Sequence, residues 1–407
     1  MVHPESSDAK MKILLAHNRY AIPGRGSGEE VSIDAIASLL EERGHTIVTY
    51  IRSSLEVRKM RFGRLGPFFS GIYSFGAKKK MEQILRTEKP DLVLVQNLFP
   101  LISPSVLIAC RTSNVPVVMR CPNYRLICPN GLFMTKGRIC ERCAGGKEYW
   151  CVLKNCEGNI FKSIGYALRG FAASHFSLFE DNVDVFLVLT EFAGKKLIQN
   201  GFSPEKIQVL SGLLNQQKTA NNTNENPGKY VGFVGRLSPE KGVDMVIKAA
   251  KRLPGVPFKL AGSAQGYFSD IRNLPENVTL AGQLNSEDLW EFYRNARLLV
   301  APSRWYEGLP MAIIEGMSAS KPVIASDLGG LGEVVEDGTT GLLFQHDDVE
   351  DFADKIFFLW SNPDLCRRFG RAGREKTKRE YCPDAFYGRL TQAFELASKM
   401  RRNRHWS

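Results

Sequence analysis

The sequence predicts an α/β protein built from two doubly wound domains, and three observations lead to this. Short apolar runs of strand length alternate with segments whose apolar residues recur at helical spacing, which favours parallel sheets covered by helices on both faces. This alternation occurs twice along the 407 residues. Between the two series lies a polar, asparagine-rich stretch at residues 214–228, which has the composition of an exposed connection.

The first domain is predicted to span residues 11–212. Its first strand, residues 12–17, leads into a glycine-rich loop at 23–29 and then into an amphipathic helix at 30–42. A strand, a glycine loop and a helix in this order let the backbone approach a phosphate. The glycine spacing is not that of a dinucleotide fingerprint, so a flexible surface turn is the alternative. Further strands are predicted at residues 46–51, 91–96, 116–119 and 184–190, and the strand at 184–190 is expected to be the last well-defined one of this half.

Composition narrows the class of protein. Hydrophobic residues make up 43% and charged residues 24% of the chain, as in an ordinary globular enzyme. The net charge of +11 and the isoelectric point near 9.2 favour an acidic partner such as phosphate, anionic lipid or nucleic acid. No apolar run reaches the ~18–20 residues that span a bilayer. The first ten residues lack the apolar core of a signal peptide, so we expect a cytoplasmic protein.

Residues 52–80 carry two basic groups mixed with aromatic residues. One group contains Arg58, Lys59, Arg61 and Arg64 among Phe62, Leu65, Phe68 and Phe69, and the other contains Lys78, Lys79 and Lys80 near Tyr73 and Phe75. Such a mixture suits an anionic membrane surface or nucleic acid, and a solvated basic face is the alternative. No nucleic-acid-binding motif accompanies these groups, so we expect no nucleic-acid partner.

Six of the nine cysteines fall in a predicted insert at residues 120–157, namely Cys121, Cys128, Cys140, Cys143, Cys151 and Cys156. In a cytosolic protein, clustered cysteines are more often metal ligands than disulfides. Two residues separate Cys140 from Cys143, which lets both thiolates reach one tetrahedral ion. Cys128 and Cys156 complete a predicted structural zinc site, in which Cys151 could replace either one. A redox pair and free thiols are the alternatives.

The second domain is predicted to span residues 229–383, after a linker at 213–228. Its first strand, residues 229–235, runs into the loop GRLSPEKG and a helix at 243–252. Cations at the carboxyl end of a parallel strand hold phosphates, which makes Arg236 and Lys241 candidate ligands. A capping loop with ordinary surface charges is the alternative. Further strands are predicted at residues 257–262 and 278–282, and helices at 286–296, 349–361, 363–381 and 384–400.

Residues 297–341 carry the most informative pattern in the chain. An apolar run at 297–303 predicts a buried strand, and a polar turn leads to a helical pattern that Pro310 opens. Backbone N–H groups at the start of this helix, near Gly308, Leu309, Met311 and Ala312, favour an anion such as a diphosphate. A second strand follows at residues 322–326.

Two carboxylates, Glu307 and Glu315, bracket this predicted anion site. They would repel a diphosphate unless they reach past it to hydroxyl groups. The ligand that satisfies both demands is a phosphate flanked by sugars, and the pattern therefore predicts a nucleotide sugar. A βαβ unit with surface glutamates is the alternative.

The spacing Glu307-x7-Glu315 resembles the signature of family-four retaining glycosyltransferases, which have the GT-B fold of two Rossmann-like domains facing across a cleft. The resemblance implies that Glu307 contacts the donor sugar and Glu315 the nucleotide ribose, while Arg236 and Lys241 neutralise the donor diphosphate. It further implies that Gly26 and Gly28 close over the donor from the first domain and that residues 384–400 cross back to that domain. Many bacterial members carry a similar cysteine-rich loop.

The function implied by this resemblance is transfer of a sugar from a UDP- or GDP-linked donor, with retention and without a catalytic metal. Polysaccharide, lipopolysaccharide core and lipid-linked oligosaccharide acceptors are all compatible with it. Relatives with lipid-linked acceptors often dock through the first domain, which favours a membrane partner for residues 52–80 and a peripheral position on the inner face of the plasma membrane.

Pro122 departs from the family pattern, because related sequences usually place a histidine there. An inactive GT-B protein that binds nucleotide sugars, or serves as a membrane scaffold, is therefore the main alternative. A sugar-nucleotide epimerase of the same fold is another, but it would need further histidine and carboxylate groups in its cleft.

Overall fold

Two parallel sheets of six strands each form the two halves of the molecule. The computed structural model describes residues 10–20, 28–59, 71–214, 228–264 and 274–404. Within these ranges, no helix is long and apolar enough to cross a membrane.

The described part of the first half contains eight strands: β1 (Lys12–Arg19), β2 (Thr46–Ser53), β3 (Leu92–Asn97), β4 (Val117–Cys121), β5 (Met134–Thr135), β6 (Arg138–Ile139), β7 (Val185–Val188) and β8 (Ile207–Val209). Six of them form a parallel sheet in the order β2-β1-β3-β4-β7-β8, while β5 and β6 pair as a small antiparallel ribbon. Every residue of β3 and β4 is buried, as expected of central strands covered on both faces. After the strand predicted at 184–190, the three-residue strand β8 pairs with β7 at the edge of this sheet.

Six helices of the first half are described: α1 (Gly28–Glu42), α2 (Phe75–Glu88), α3 (Ser105–Thr112), α4 (Tyr149–Leu153), α5 (Ile160–His175) and α6 (Glu191–Gln199). Local side chains satisfy the free N–H groups at several helix starts. Ser74 accepts from the Ala77 N–H at α2, and Thr190 accepts from the Ala193 N–H at α6.

The second half contains strands β9 (Tyr230–Val234), β10 (Phe258–Ala261), β11 (Val278–Gly282), β12 (Ala296–Ala301), β13 (Val323–Ser326) and β14 (Gly341–Phe344). They pair in the order β11-β10-β9-β12-β13-β14, which is the strand order of a dinucleotide-binding domain. The order reverses between β9 and β12, and ligands bind at the carboxyl ends of the strands at such a point. The loops after β9 and β12 are therefore the places to look for a site.

The helices of this half are α7 (Val243–Arg252), α8 (Ser286–Asn295), α9 (Met311–Ser318), α10 (Leu331–Val334), α11 (Val349–Ser361) and α12 (Pro363–Glu380), and a final helix, α13 (Pro383–Asn403), follows. This final helix packs against the first sheet, where Phe386, Leu390 and Phe394 are buried beside strand residues of β1, β3, β4 and β7. Near its end, the Arg401 guanidinium lies 2.6 Å from the Asp184 carboxylate, and both side chains are buried. The last helix of the chain thus completes the core of the first half.

Candidate active site

Glu307 lies in the loop after β12, at the point where the strand order of the second sheet reverses. Its Oε1 atom is 2.6 Å from Lys241 Nζ and 2.5 Å from Ser303 Oγ, and only 4% of the residue is exposed. Burial alone would raise the pKa of Glu307, but the charge of Lys241 and the hydrogen bonds from Lys241 and Ser303 outweigh it, so the pKa is lowered. Glu307 is therefore an ionised carboxylate fixed in position.

Lys241 reaches Glu307 because the loops after β9 and β12 lie in contact. Gly242, next in the chain, has φ of +72°, and a Cβ atom there would lie 1.8 Å from the Pro302 carbonyl oxygen. Only glycine tolerates both this backbone conformation and this approach. The Lys241 ammonium also lies 5.7 Å from the centre of the Trp305 ring, close enough for a cation–π contact.

Arg236, the other predicted cation, follows the end of β9. Its guanidinium pairs with Glu240 at 3.1 Å, and 62% of its side chain is exposed. Its guanidinium is thus more accessible to solvent than the Lys241 ammonium, whose side chain is only 20% exposed.

Glu315 lies on α9, half-buried, and accepts a hydrogen bond of 2.8 Å from the Tyr293 hydroxyl. Tyr293 is fully buried, and its burial, together with the nearby Glu315 charge, raises its pKa well above the ordinary value of 10.0. The hydroxyl therefore stays protonated and orients the Glu315 carboxylate.

The start of α9 packs against the first half. A Cβ atom at Gly308 would lie 2.4 Å from the Pro122 carbonyl oxygen, and a Cβ at Gly212 would lie 2.5 Å from Met311 Sδ and 2.8 Å from Leu309 Cδ2. Pro122, the residue that departs from the family pattern, thus touches the loop that carries Glu307. From the predicted glycine loop, Gly28 begins α1, while Gly26 lies outside the described residues.

A contact that was not predicted from the sequence joins the loop that carries Glu307 to the cysteine-rich insert. The Tyr306 hydroxyl donates a 2.7 Å hydrogen bond to Glu141, whose carboxylate also accepts two bonds from Lys196, at 2.7 and 2.8 Å. The Tyr306 ring packs 4.7 Å from Phe192 and 6.0 Å from Phe133, measured between ring centres. The residue directly before Glu307 is therefore held by the first half.

A second contact between the halves caps helix α6. The Glu333 carboxylate accepts hydrogen bonds from the backbone N–H groups of Glu191, at 2.7 Å, and of Phe192, at 2.6 Å. A carboxylate at a helix N-terminus satisfies free donors and is favoured by the helix dipole.

The predicted zinc ligands Cys128, Cys140, Cys143 and Cys156 lie in one region, with Cys128 and Cys143 buried and Cys140 and Cys156 partly exposed. Nowhere in the described ranges are three or more His, Cys, Asp or Glu side chains placed to hold an ion. Cys151 instead donates a hydrogen bond to Cys156, which lowers the pKa of the Cys156 thiol, while burial raises the pKa of Cys143 to about 12. The structure provides no evidence for the zinc site, which therefore stays a prediction.

Comparison with known proteins supports the fold. Residues 215–376 match the family model described as Glycosyl transferases group 1. An uncharacterized glycosyltransferase of Methanocaldococcus jannaschii is 34% identical over 202 residues, which are 49% of this chain and 56% of that relative. An uncharacterized protein of the cps region of Klebsiella pneumoniae is 26% identical over 357 residues, covering 80% of this chain and 87% of the relative.

Among solved structures, Anabaena HepE in complex with UDP and glucose superimposes with a TM-score of 0.65 at 16% identity. The superposition covers 95% of this chain and 99% of that one, so the likeness extends over both sheets. From the family match and this common fold, we conclude that residues 215–376 form a glycosyl transferases group 1 domain and that the chain has the GT-B fold.

Proposed function

We propose that this protein is a retaining glycosyltransferase that moves a sugar from a UDP- or GDP-linked donor to a saccharide or lipid-linked saccharide in cell-surface glycan biosynthesis. The observation that carries this proposal is the 2.6 Å contact between Lys241 and Glu307 at the switch point of the second sheet. This contact joins a fixed cation to a fixed carboxylate, which supports the proposal that Lys241 binds phosphate and Glu307 binds sugar hydroxyls.

In this proposal the donor lies across the carboxyl ends of β9 and β12. Arg236, Lys241 and the backbone N–H groups near Gly308, Leu309 and Met311 stabilise the diphosphate as negative charge develops on it. Glu307 accepts hydrogen bonds from the donor sugar, and Glu315, oriented by Tyr293, accepts them from the ribose. Gly26 and Gly28 are proposed to close over the diphosphate from the side of the first domain.

The transfer itself exchanges one bond at the anomeric carbon. The bond from this carbon to the diphosphate oxygen breaks, and the acceptor hydroxyl oxygen forms a new bond on the same face. The hydroxyl proton passes to the departing diphosphate, whose negative charge the two cations and the helix N-terminus offset. This route needs neither a protein nucleophile nor a catalytic metal.

The test is thermal unfolding with a panel of UDP-, GDP-, ADP- and CMP-sugars, for the natural chain and for Glu315→Ala. A ligand at ~100 times its dissociation constant adds roughly 2.7 kcal/mol of stability. We expect one nucleotide class to stabilise the natural chain and the variant to lose that response. If no class does so, the proposed donor site is wrong.

Turnover distinguishes the enzyme from a scaffold that only binds the donor. An active transferase consumes the donor when an acceptor is added, and the anomeric configuration of the product, read by NMR, tests retention. A protein that binds the donor and leaves it intact with every acceptor class would instead support the scaffold function. The observation that favours this second candidate is Pro122, which stands in place of the usual histidine and lies against Gly308, next to Glu307.

We also propose that the first half rests on an anionic membrane. Of the segment at 52–80, residues 60–70 lie outside the described part, but α2 begins with Phe75, 80% exposed, and carries the exposed Lys79 and Lys80. Helix α5 exposes further apolar side chains at helical spacing, namely Phe161, Leu168 and Phe171. Exposed aromatic residues beside lysines favour anionic lipid surfaces.

Co-sedimentation with vesicles tests the membrane proposal. The protein should sediment with vesicles that contain phosphatidylglycerol and not with phosphatidylcholine alone, and Phe75→Ser should weaken the association. Failure to sediment with either kind of vesicle would contradict the proposal.

A further inference from the structure

The first half carries a recess at the carboxyl ends of β3 and β4, on the side that faces the donor loop. Its lining includes Gln96 from β3, Arg120 from β4 and Pro122, Asn123 and Arg125 from the segment that follows. That segment also touches the donor loop, because the Tyr124 hydroxyl lies 3.5 Å from the Glu307 carbonyl oxygen. A group bound in the recess would therefore lie close to the sugar-transfer site proposed above.

Two buried side chains of the recess have N–H groups without partners. Arg120 is 3% exposed and Gln96 is 2% exposed. Arg120 Nη1 donates to Gln96 Oε1 at 3.0 Å and to Ser32 Oγ at 3.1 Å. Within the ranges that the structure describes, neither Arg120 Nε nor Gln96 Nε2 meets an acceptor. Unmet donors at such depth are rare in folded proteins and call for a ligand or a water.

Within the described residues, Arg120 forms no ion pair, and both of its hydrogen-bond acceptors are neutral. Glu29 lies near enough to favour the charged form. One of its oxygens accepts from Asn123 Nδ2, at 3.0 Å, and the other is buried without a hydrogen-bond partner among the described residues. Burial lowers the pKa of Arg120 to about 10, so the guanidinium stays charged near neutral pH.

Two more guanidinium groups border this region. Arg125 donates to the Tyr20 hydroxyl and lies 5.6 Å from the centre of that ring. Arg169, buried behind the recess, lies 4.0 Å from the centre of the Phe99 ring and donates to the Pro129 carbonyl at 3.4 Å. Neither of them forms an ion pair with a described carboxylate. Nearby carboxylates offset part of their charge, because Glu29 acts on Arg125 and Glu157 acts on both groups.

Burying a charge without a counter-ion is costly, and an oxyanion removes that cost by taking the free N–H groups of a guanidinium. We propose that the recess is the acceptor's anion site, and that the acceptor bears a carboxylate or phosphate which Arg120 and Gln96 hold beside the hydroxyl that receives the sugar. This inference rests on the proposed transferase function and adds the chemical class of its acceptor.

Binding of matched sugars tests the inference directly. Glucose, glucuronic acid and glucose 6-phosphate are titrated into the full chain by calorimetry, with and without the nucleotide that the donor panel identifies. At least one of the two anionic sugars should bind roughly tenfold or more tightly than glucose, the factor that one charge-assisted hydrogen bond supplies. A response to glucuronic acid alone identifies a uronate-type acceptor, and a response to glucose 6-phosphate alone a phosphorylated one.

Variants of the recess assign the preference to Arg120. Arg120→Met should abolish it and Arg120→Lys should keep part of it, with nucleotide affinity unchanged in both. Ser32→Ala, which removes a hydrogen-bond partner of Arg120 from outside the recess lining, should keep the preference. If Arg120→Met does not fold, Gln96→Leu tests the same recess and should reduce the preference.

The possible failures are separable. Equal responses to the three sugars, including no response to any, would overturn the acceptor inference while leaving nucleotide binding intact. Retention of the preference in Arg120→Met would overturn it as well. If the natural chain binds none of the nucleotides, this would instead contradict the transferase function, whichever sugars bind.

Discussion

At the scale of single residues, the charge on Glu307 depends on Lys241. The carboxylate is almost fully buried, and a buried ion that loses its partner is strongly destabilising. The Lys241→Met variant should therefore lower the free energy of unfolding by about 3 kcal/mol near neutral pH. Urea unfolding of the variant and the natural chain measures this difference.

The difference in unfolding free energy between Lys241→Met and the natural chain should depend on pH, because the pKa of Glu307 is lowered in the folded protein. The pKa of folded Glu307 lies below the ordinary 4.5, so the pair stabilises the fold above about pH 4.5 and loses this contribution as the pH falls through the folded value. The loss in Lys241→Met should therefore shrink in acid. Lys248→Met is the control, because its 3.4 Å pair with Asp244 is exposed and should matter little. A small loss that does not vary with pH would contradict the assignment.

Tyr293 should act on nucleotide binding through Glu315. Removing its hydroxyl in Tyr293→Phe leaves the Glu315 carboxylate without the 2.8 Å bond that orients it, so nucleotide affinity should fall about tenfold, the equivalent of roughly 1.4 kcal/mol. Tyr230→Phe is the control, since it also removes a buried tyrosine hydroxyl, one that donates to the Phe292 carbonyl at 2.7 Å. Calorimetric titration should separate the two, and equal affinities would rule out the role of Tyr293.

The residues of the site differ in how far the sequence could predict them. Glu307 and Glu315 could be predicted because they lie in one short stretch. There a strand, a polar turn and a helix that begins with proline indicate how the two side chains are placed. The partner of Glu307 is 66 positions away and that of Tyr306 is 165 away. Such pairs depend on how loops and halves pack, which leaves no periodic trace in the chain.

At the scale of elements, helix α6 of the first half takes its cap from Glu333 of the second. Glu333→Ala should lower stability by about 1 kcal/mol, the usual effect of losing a helix cap, and should also loosen the contact between the halves. Asp348→Ala is the matched control, since Asp348 caps α11 within the second half through the N–H groups of Glu350 and Asp351.

Small-angle scattering distinguishes the two caps. Both variants should unfold more easily, but only Glu333→Ala should increase the radius of gyration. An unchanged radius in both would mean that this cap does not hold the halves together.

Elements also show where sequence patterns become too short to interpret. Strands with a long apolar run, such as β1 and β3, were predicted to within a few residues. Strand β8 has three residues, fewer than the four to eight that strand patterns cover, and it was missed. Strand β14, with four residues, was missed as well. The cysteine-rich insert was recognised by composition, but its contact with Tyr306 could only come from the fold.

At the scale of the whole molecule, the last helix is fastened to the first sheet by Arg401 and Asp184. Asp184 is fully buried, and its Oδ2 accepts both from Arg401 and from the Val117 N–H. Arg401→Met would leave this carboxylate without its cation and should cost about 3–5 kcal/mol. The neighbouring Arg404 lies 3.8 Å from Asp184 and is 33% exposed, so Arg404→Met should cost less than about 1 kcal/mol. Urea unfolding of both variants checks this, and equal losses would refute it.

The return of α13 has a consequence for how the protein is made. A ribosome builds the first sheet early, but Phe386, Leu390 and Phe394, which complete its core, emerge about 180 residues later, roughly ten to thirty seconds at ~5–20 residues per second. The half that is synthesised first is thus the half that finishes folding last. A premature stop between α12 and α13 would leave the second sheet with its helices and the first with an open apolar face, a nascent product that chaperones and proteases would have to handle.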